Sequence, residues 1–332
     1  MKPFSCAIVG ASGMVGGMFA KILEERKLPV SKLYLFASAR SAGNTMMFNG
    51  QELTIEELTP TVFDRGIDFA LFCVESDISK KYAPIAAKAG CVVVDNSSAW
   101  RLENDVPLVV PEVNADDLKT HKGIIANPNC CAAPTVVALK PLLDKYGLNR
   151  VVISTYQSVS GAGVGGISDL ERTQKGEKPE QFPYPIAGNI LPHIDTFHED
   201  GYTGEEKKLM AEVKKMLHVP ELKITATTVR VPVMYGHSLS INASLKNPFD
   251  LTELRNLLAT SPGITLQDDP EKKLYPMPIT AAGQDQVYVG RLRKDESCEN
   301  GLNMWVVADN TRKGAATNAV QVVESVLRGV VK

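Results

Sequence analysis

The stretch Ile124-Ile125-Ala126-Asn127-Pro128-Asn129-Cys130-Cys131-Ala132-Ala133-Pro134 reads as a buried strand, a tight polar turn and a helix start. A helix start exposes unpaired N–H groups and the positive end of the macrodipole. Both favour a thiolate over a thiol, which makes Cys130 a candidate nucleophile. A cysteine in such a run can equally be a small buried apolar residue. His237 follows Arg230-Val231-Pro232-Val233 within Gly236-His237-Ser238 and is one of only five histidines. At a glycine turn beside a strand it is a candidate base, or a packing and capping residue. Ser160-Gly161-Ala162-Gly163, just after Gln157, is a loop of small residues where backbone can approach a ligand closely. Arg101, Arg230 and Lys208 are candidate anion ligands, or solvated surface charges.

A second chemistry stands at the N-terminus. An apolar run, Ser5 to Val9, enters Gly10-Ala11-Ser12-Gly13-Met14-Val15-Gly16 and then an amphipathic stretch from Met18 to Glu25. Strand, glycine turn and helix form a cradle for a pyrophosphate, with helix-start N–H groups as donors. The spacing is G-x-x-G-x-x-G rather than G-x-G-x-x-G. An NAD site usually carries an acidic residue at the end of the second strand, where it binds the ribose hydroxyls. Here Lys32-Leu33-Tyr34-Leu35-Phe36 runs into Ala37-Ser38-Ala39-Arg40-Ser41, with no acid. Arg40 and Ser41 suit a 2′-phosphate, so the expected cofactor is NADP.

These groups need a scaffold of about two domains, as the 332 residues allow. Phe69 to Val74 and Cys91 to Asp95 are continuous apolar runs separated by a helical stretch, Ser79 to Ala89. Such runs predict a parallel sheet covered on both faces, a doubly wound α/β nucleotide-binding domain. After about Leu148 the strands lengthen and alternate: Val151 to Gln157, Lys223 to Val231, Ser238 to Leu245, Gln286 to Leu292 and Leu302 to Ala308. These predict an α+β domain with a largely antiparallel sheet. Gly176 to Pro192 reads as a long ordered loop, and Gly314 to Val330 as a helix returning to the first domain. The expected division is 1–130 with 312–332 as the cofactor domain, and 131–311 as the catalytic and dimerisation domain. Cys130 would then lie where one domain passes into the other.

Net charge is −2, which argues against a general nucleic-acid binder, and no apolar run is long enough for a bilayer. The N-terminal residues run straight into a strand pattern, so no leader is expected. The six cysteines lack C-x-x-C spacing, which argues against a disulfide framework or metal site and for a reduced, cytoplasmic setting.

Taken together, the motifs resemble the aspartate-semialdehyde dehydrogenase family over essentially the whole chain. The carriers are the first glycine turn, Ala37-Ser38-Ala39-Arg40-Ser41-Ala42-Gly43, Asp95-Asn96-Ser97-Ser98-Ala99-Trp100-Arg101, Val109-Val110-Pro111-Glu112-Val113-Asn114 and Asn127-Pro128-Asn129-Cys130. Thr155 to Gly163, Pro192-His193-Ile194-Asp195, Arg230 to Val233 with Gly236-His237-Ser238, and Asp309 to Ala316 continue the order. The resemblance implies Cys130 as nucleophile, His237 as acid/base and Gln157 as orienting group. It implies Arg230 for the substrate carboxylate and Glu205 for its amino group. Arg101, Asn129 and Lys208 would bind phosphate, with Glu206 and Lys207 as adjacent alternatives to Glu205 and Lys208. Gly10, Ser12, Gly13, Met14, Val15, Arg40, Ser41, Ser160, Gly161 and Asn310 would contact NADP.

The implied reaction is NADPH-dependent reduction of L-aspartyl 4-phosphate to L-aspartate 4-semialdehyde, with release of inorganic phosphate, by a homodimer or homotetramer. Cys131 stands where many relatives carry serine or threonine, and is expected to be a packing residue. Leu239 stands where an acid is common. The related N-acetyl-glutamyl-phosphate reductases carry glycine before the cysteine and tyrosine-proline after it. A non-catalytic paralogue would lack the nucleophile or base, and an acyl-CoA reductase on the same scaffold stays open.

Overall fold

The computed structural model describes residues 1–329; residues 330–332, where the tail pattern ends at Val330, lie outside the described residues. The chain forms two compact units, one from Met1–Pro128 and the chain from Ala315 on, the other from Asn129–Gly314.

The first unit is built on a six-stranded parallel sheet in the order Glu56–Glu57, Val30–Ala37, Phe4–Val9, Phe69–Phe72, Val92–Asp95, Ile124–Ala126. Its strands read as unbroken apolar runs because both faces are covered. Cys6 and Ile8 join a cluster with Phe19, Ile22, Val320 and Val323. Their neighbours Ala7 and Val9 point the other way, to Phe36, Phe63, Phe72 and Tyr82. The tail helix, Thr317–Leu327, lies in this unit. The Arg26 guanidinium grips Glu324 with two hydrogen bonds of 2.6 and 2.8 Å. Asn318 Nδ2 donates to Val109 O and Asn127 Oδ1, both at 2.8 Å.

The first strand sits centrally, so the connections run outward from it in both directions. The crevice beyond its C-terminal end is the topological switch point of such a sheet, where ligands bind. There the chain turns through Gly10, whose φ is +95° and where a Cβ would lie 2.5 Å from Cys73 O. A Cβ on Gly16 would lie 2.5 Å from Gly10 O, so this glycine lets the helix Met14–Glu25 settle onto the turn. Among the described residues no side chain caps that helix, and Ser12 and Gly13 at its start are exposed.

The second unit holds a mixed six-stranded sheet in the order Lys223–Arg230, Leu148–Gln157, His237–Leu245, Gly301–Ala308, Val287–Asp295, Ile264–Leu266. The central pairings are antiparallel, as the alternating strands predict, but each edge pair is parallel. The edge pairs are each joined through a connection containing a helix, and a helical crossover makes strands parallel. Alternation places Val151, Ile153, Thr155 and Gln157 on the buried face of one strand, and His237, Leu239, Ile241 and Ala243 on that of its neighbour. The long segment after Gln174 is ordered by Asp169, whose buried carboxylate accepts the backbone N–H groups of Glu180, Gln181 and Phe182, each at 2.8 Å.

Candidate active site

Register alone assembles much of the site in the second unit. Arg230 ends its strand opposite Gln157, and the pairing of Ser238 with Tyr156 brings His237 beside Gln157 on the other flank. All three face the buried side, in a row across three neighbouring strands. Onto this row come the starts of two helices. Ala132–Tyr146 begins just after Cys130, with Cys131 at its N-cap, and Gly204–Leu217 carries Glu205 in its first turn.

Cys130 is half-buried, and its sulfur, the Cys131 sulfur and a ring nitrogen of His237 all lie within 4.8 Å of one another. A hydrogen bond from Cys131 pulls the Cys130 thiol well below its ordinary range. Burial opposes this, but His237 and the positive charge of Arg230 add to the lowering. Cys131 moves the opposite way, because full burial and the neighbouring Cys130 raise it. Of the pair, Cys130 is thus the thiol shifted toward the thiolate and Cys131 its donor. This adds a polar role to the packing role expected of Cys131.

His237 is fully buried. Its Nδ1 accepts the Ser158 backbone N–H at 3.1 Å, and Ser158 Oγ lies 3.0 Å from the same atom. A backbone N–H has only a proton to offer, so the neutral ring carries its own proton on Nε2. That Nε2 is buried with no hydrogen-bond partner among the described residues. Arg230 is buried too. Its Nη1 donates to Ser158 O at 2.7 Å, while its Nε has no partner. Two buried donors left idle are costly unless a ligand satisfies them. The Arg230 guanidinium also lies over the Phe182 ring, 5.9 Å from its centre.

Glu205 and Glu206, open alternatives on sequence, separate cleanly. Glu206 closes a capping box with Thr203 and accepts the Thr228 N–H at 2.9 Å. Glu205 Oε1 accepts from Asn129 Nδ2 at 2.9 Å and Gln157 Nε2 at 3.1 Å. Lys207 pairs with Asp200, and Lys208 with Asp195. Asn129 is heavily engaged: Oδ1 accepts the Cys131 N–H at 2.8 Å, and its backbone N–H goes to Glu212 at 2.6 Å. Ser160 and Asn310 exchange hydrogen bonds, and Asn310 Oδ1 also accepts the Gly236 N–H at 3.0 Å. Gly161 lies against the reacting groups. A Cβ there would come within 2.6 Å of Arg230 Nη1 and 3.1 Å of His237 Nε2.

The remaining expected residues lie in the first unit. Arg101 is buried, donating through Nε to Asn127 O at 2.9 Å and through Nη2 to Asn96 O at 2.8 Å. Gly10, Ser12, Gly13, Met14 and Val15 form the turn and helix start at the switch point. Arg40 is exposed in the short turn Ala39–Ser41 after the second strand. Sequence reasoning missed Ser158, Glu212 and Phe182. Glu212 had a signal, since it falls on the buried helix face seven residues after Glu205. Ser158 acts partly through its backbone, which leaves no trace in residue type.

Two family models cover most of the chain: semialdehyde dehydrogenase, NAD binding domain, at 5–121, and semialdehyde dehydrogenase, dimerisation domain, at 139–313. Aspartate-semialdehyde dehydrogenase of Aquifex aeolicus is 52% identical, with 98% of each chain covered. The chain belongs to the aspartate-semialdehyde dehydrogenase family. Among solved structures, aspartate semialdehyde dehydrogenase II of Vibrio cholerae complexed with ASA (aspartate semialdehyde) has a TM-score of 0.95 at 42% identity, covering 99% of both chains. The aspartate semialdehyde dehydrogenase of Candida albicans, solved with NADP, has a TM-score of 0.78 at 26% identity, covering 99% of this chain and 100% of that one. The family's NAD binding model falls on the parallel sheet and its dimerisation model on the mixed one.

Proposed function

We propose that this chain is an NADP-dependent aspartate-semialdehyde dehydrogenase working through a thioester on Cys130. In the biosynthetic direction the enzyme reduces L-aspartyl 4-phosphate to L-aspartate 4-semialdehyde, a step in making the aspartate-derived amino acids. The observation that carries the chemical part is the Cys130 thiolate, held between a thiol donor and Arg230, beside a histidine whose Nε2 is idle.

Cys130 adds to the acyl carbon and phosphate leaves. A thiolate both attacks and departs well, which suits a two-stage path. The His237 Nε2–H donates to oxygen as the tetrahedral centre forms and takes the proton back as it collapses. The Arg230 guanidinium, with Nε unused, receives the substrate carboxylate. Glu205 Oε1 is occupied by Asn129 and Gln157, which leaves Oε2 for the substrate ammonium. Gln157 fixes that carboxylate and lies beside the reacting carbon. Arg101, Asn129 and Lys208 serve the phosphate, with Lys208 released from Asp195 as it does so. The first unit serves the cofactor, and the second, which begins at Asn129 rather than at residue 131 and so holds Cys130, serves the chemistry and dimer contact.

NADPH, when bound, supplies the hydride that takes the thioester to the aldehyde level. The glycine turn fits its pyrophosphate: Gly10 and Gly16 let turn and helix pack closely, and the exposed helix start at Ser12 and Gly13 has no side-chain cap on its N–H groups. Gly13, Ser12, Met14 and Val15 offer the open helix start, and Ser160, Gly161 and Asn310 complete the contacts. Arg40 and Ser41, with no acid at the end of the second strand, favour NADP over NAD. The partner is a second copy of the chain, in a cytoplasmic enzyme. Tyr156 and Trp305, with ring centres 5.4 Å apart, lie on the less buried face of the mixed sheet. No helix among the described residues is long and apolar enough to cross a membrane.

The test is cofactor reduction in the presence of phosphate, with aspartate semialdehyde against N-acetyl-glutamate semialdehyde and with NADP against NAD. Turnover of the first aldehyde with NADP is expected. Folded protein that turns over only the second would overturn the substrate, and a clear preference for NAD would overturn the role of Arg40.

A further inference from the structure

Cys131 supports the Cys130 thiol but makes no contact with the substrate in the reaction proposed above. It is fully buried, and its backbone is pinned on both sides: its N–H donates to Asn129 Oδ1 at 2.8 Å, and its carbonyl accepts Thr135 Oγ1 at 2.7 Å. Its sulfur lies within 4.8 Å of that of Cys130, its half-buried chain neighbour. The other cysteines, Cys6, Cys73, Cys91 and Cys298, do not share this cluster of donor atoms. We propose that Cys130 is a site of reversible oxidation by hydroperoxides, with Cys131 as the resolving thiol. The proposal rests on the reading of Cys130 as the reactive nucleophile.

The steps balance. The Cys130 thiolate attacks one peroxide oxygen, the O–O bond breaks, and hydroxide (or alkoxide) leaves with the electron pair. The attacked oxygen keeps its hydrogen, so Cys130 becomes a sulfenic acid, oxidised by two electrons, and the departing hydroxide or alkoxide takes up a proton. The Cys131 thiol then attacks that sulfur. An S–S bond forms, the S–O bond breaks, and the oxygen leaves as water with the Cys131 proton and the sulfenic proton.

Position assigns the two roles. Cys130 is reached first because it is the half-buried residue of the pair, with its thiol lowered where that of Cys131 is raised. Cys131 stays protonated and out of reach of solvent, and its target is the adjacent sulfur. A bridge between chain neighbours must close over a Cα spacing of about 3.8 Å. Ordinary disulfides begin at about 4.4 Å, and bonds outside that range are more easily reduced. The same geometry that makes this bridge awkward therefore makes it reversible. Without Cys131 the sulfenic acid has no thiol beside it and proceeds to the sulfinic acid, which is irreversible in this setting.

The experiment treats wild-type protein and Cys131→Ser with hydrogen peroxide, and reads activity and peptide mass before and after dithiothreitol. Activity is expressed against each protein's own untreated value, which separately reports whether the dehydrogenase reading holds. Wild type is expected to lose activity as the peptide containing residues 129–140 loses two hydrogen atoms, and dithiothreitol should restore both. Cys131→Ser should gain oxygen on Cys130 and lose the recoverable fraction. The proposal is overturned if the wild-type peptide gains oxygen without losing hydrogen, or if Cys131→Ser recovers as fully as wild type. Should the variant fail to fold, the wild-type peptide mass decides alone.

Discussion

At the scale of single residues the site depends on close approach and charge. Gly161 is required by its neighbours: an added methyl would push Arg230 off Ser158 O and crowd His237 Nε2. We expect Gly161→Ala to fold normally and to lose on the order of 10²-fold in kcat/KM, as misplacement by about an ångström costs. Steady-state kinetics beside a melting curve check this; an unchanged kcat/KM would remove Gly161 from the site. The pH dependence follows from Cys130. A thiol held below its ordinary range is nucleophilic at neutral pH and loses reactivity as pH falls through that lowered pKa. Removing the Arg230 charge withdraws part of the support, so the pKa rises and the acid limb moves to higher pH. Alkylation of Cys130 by iodoacetamide across pH, in wild type and Arg230→Met, reads this directly, and identical profiles would contradict it. Cys130, His237 and Arg230 are candidates read from a helix start, a turn and a strand's residues, Gln157 one implied by the family resemblance, and strand register brings Gln157 beside Arg230 and His237. The acid chosen at 205 was not legible in the sequence, since Glu205 and Glu206 differ only in which way the first turn of a helix faces. Ser158 was hidden for a different reason, as part of its work is done by a backbone N–H.

At the scale of elements, the second unit uses strand register to line up Arg230, Gln157 and His237, and helix starts to bring Cys130 and Glu205 onto that row. The strands were legible from alternation. The parallel edge pairs were not, because direction is set by the crossovers rather than by the strands' own residues. The loop after Gln174 shows how a remote group reaches the site. Burial raises the Asp169 carboxyl, but the N–H groups of Glu180, Phe182 and Gln181, with Arg172, outweigh it and hold it below the ordinary carboxylate range. They thereby fix Phe182 against Arg230. A carboxylate held down in the folded state contributes stability above its unfolded pKa of about 3.9 and loses it as pH falls through the lowered value. We expect Asp169→Asn to loosen the loop, raising KM for the aspartyl substrate more than it lowers kcat. Faster proteolysis between residues 176 and 192 should accompany this. Equal KM and an intact loop would show that Asp169 plays no part in placing Phe182.

At the scale of the whole molecule, the chain divides into a unit on a parallel sheet and a unit on a mixed sheet. The parallel sheet with its glycine turn was readable from continuous apolar runs, and the mixed sheet from the change to alternating ones. The hairpin Thr45–Phe48 with Gln51–Thr54 escaped, since four-residue strands carry too short a pattern to register. The tail helix was legible as an apolar stripe, which packs into the first unit's core, but the polar pairs that flank it, Arg26 with Glu324 and Asn318 with Asn127, were not. The central claim is that the enzyme carries its substrate as a thioester on Cys130 and not on the adjacent thiol. Mixing the protein with L-aspartyl 4-phosphate in the absence of NADPH, quenching in acid and mapping the peptides by mass tests it most directly. The account predicts an aspartyl group on Cys130, absent in Cys130→Ala and present in Cys131→Ala. An aspartyl group on Cys131, or turnover by Cys130→Ala, would contradict it.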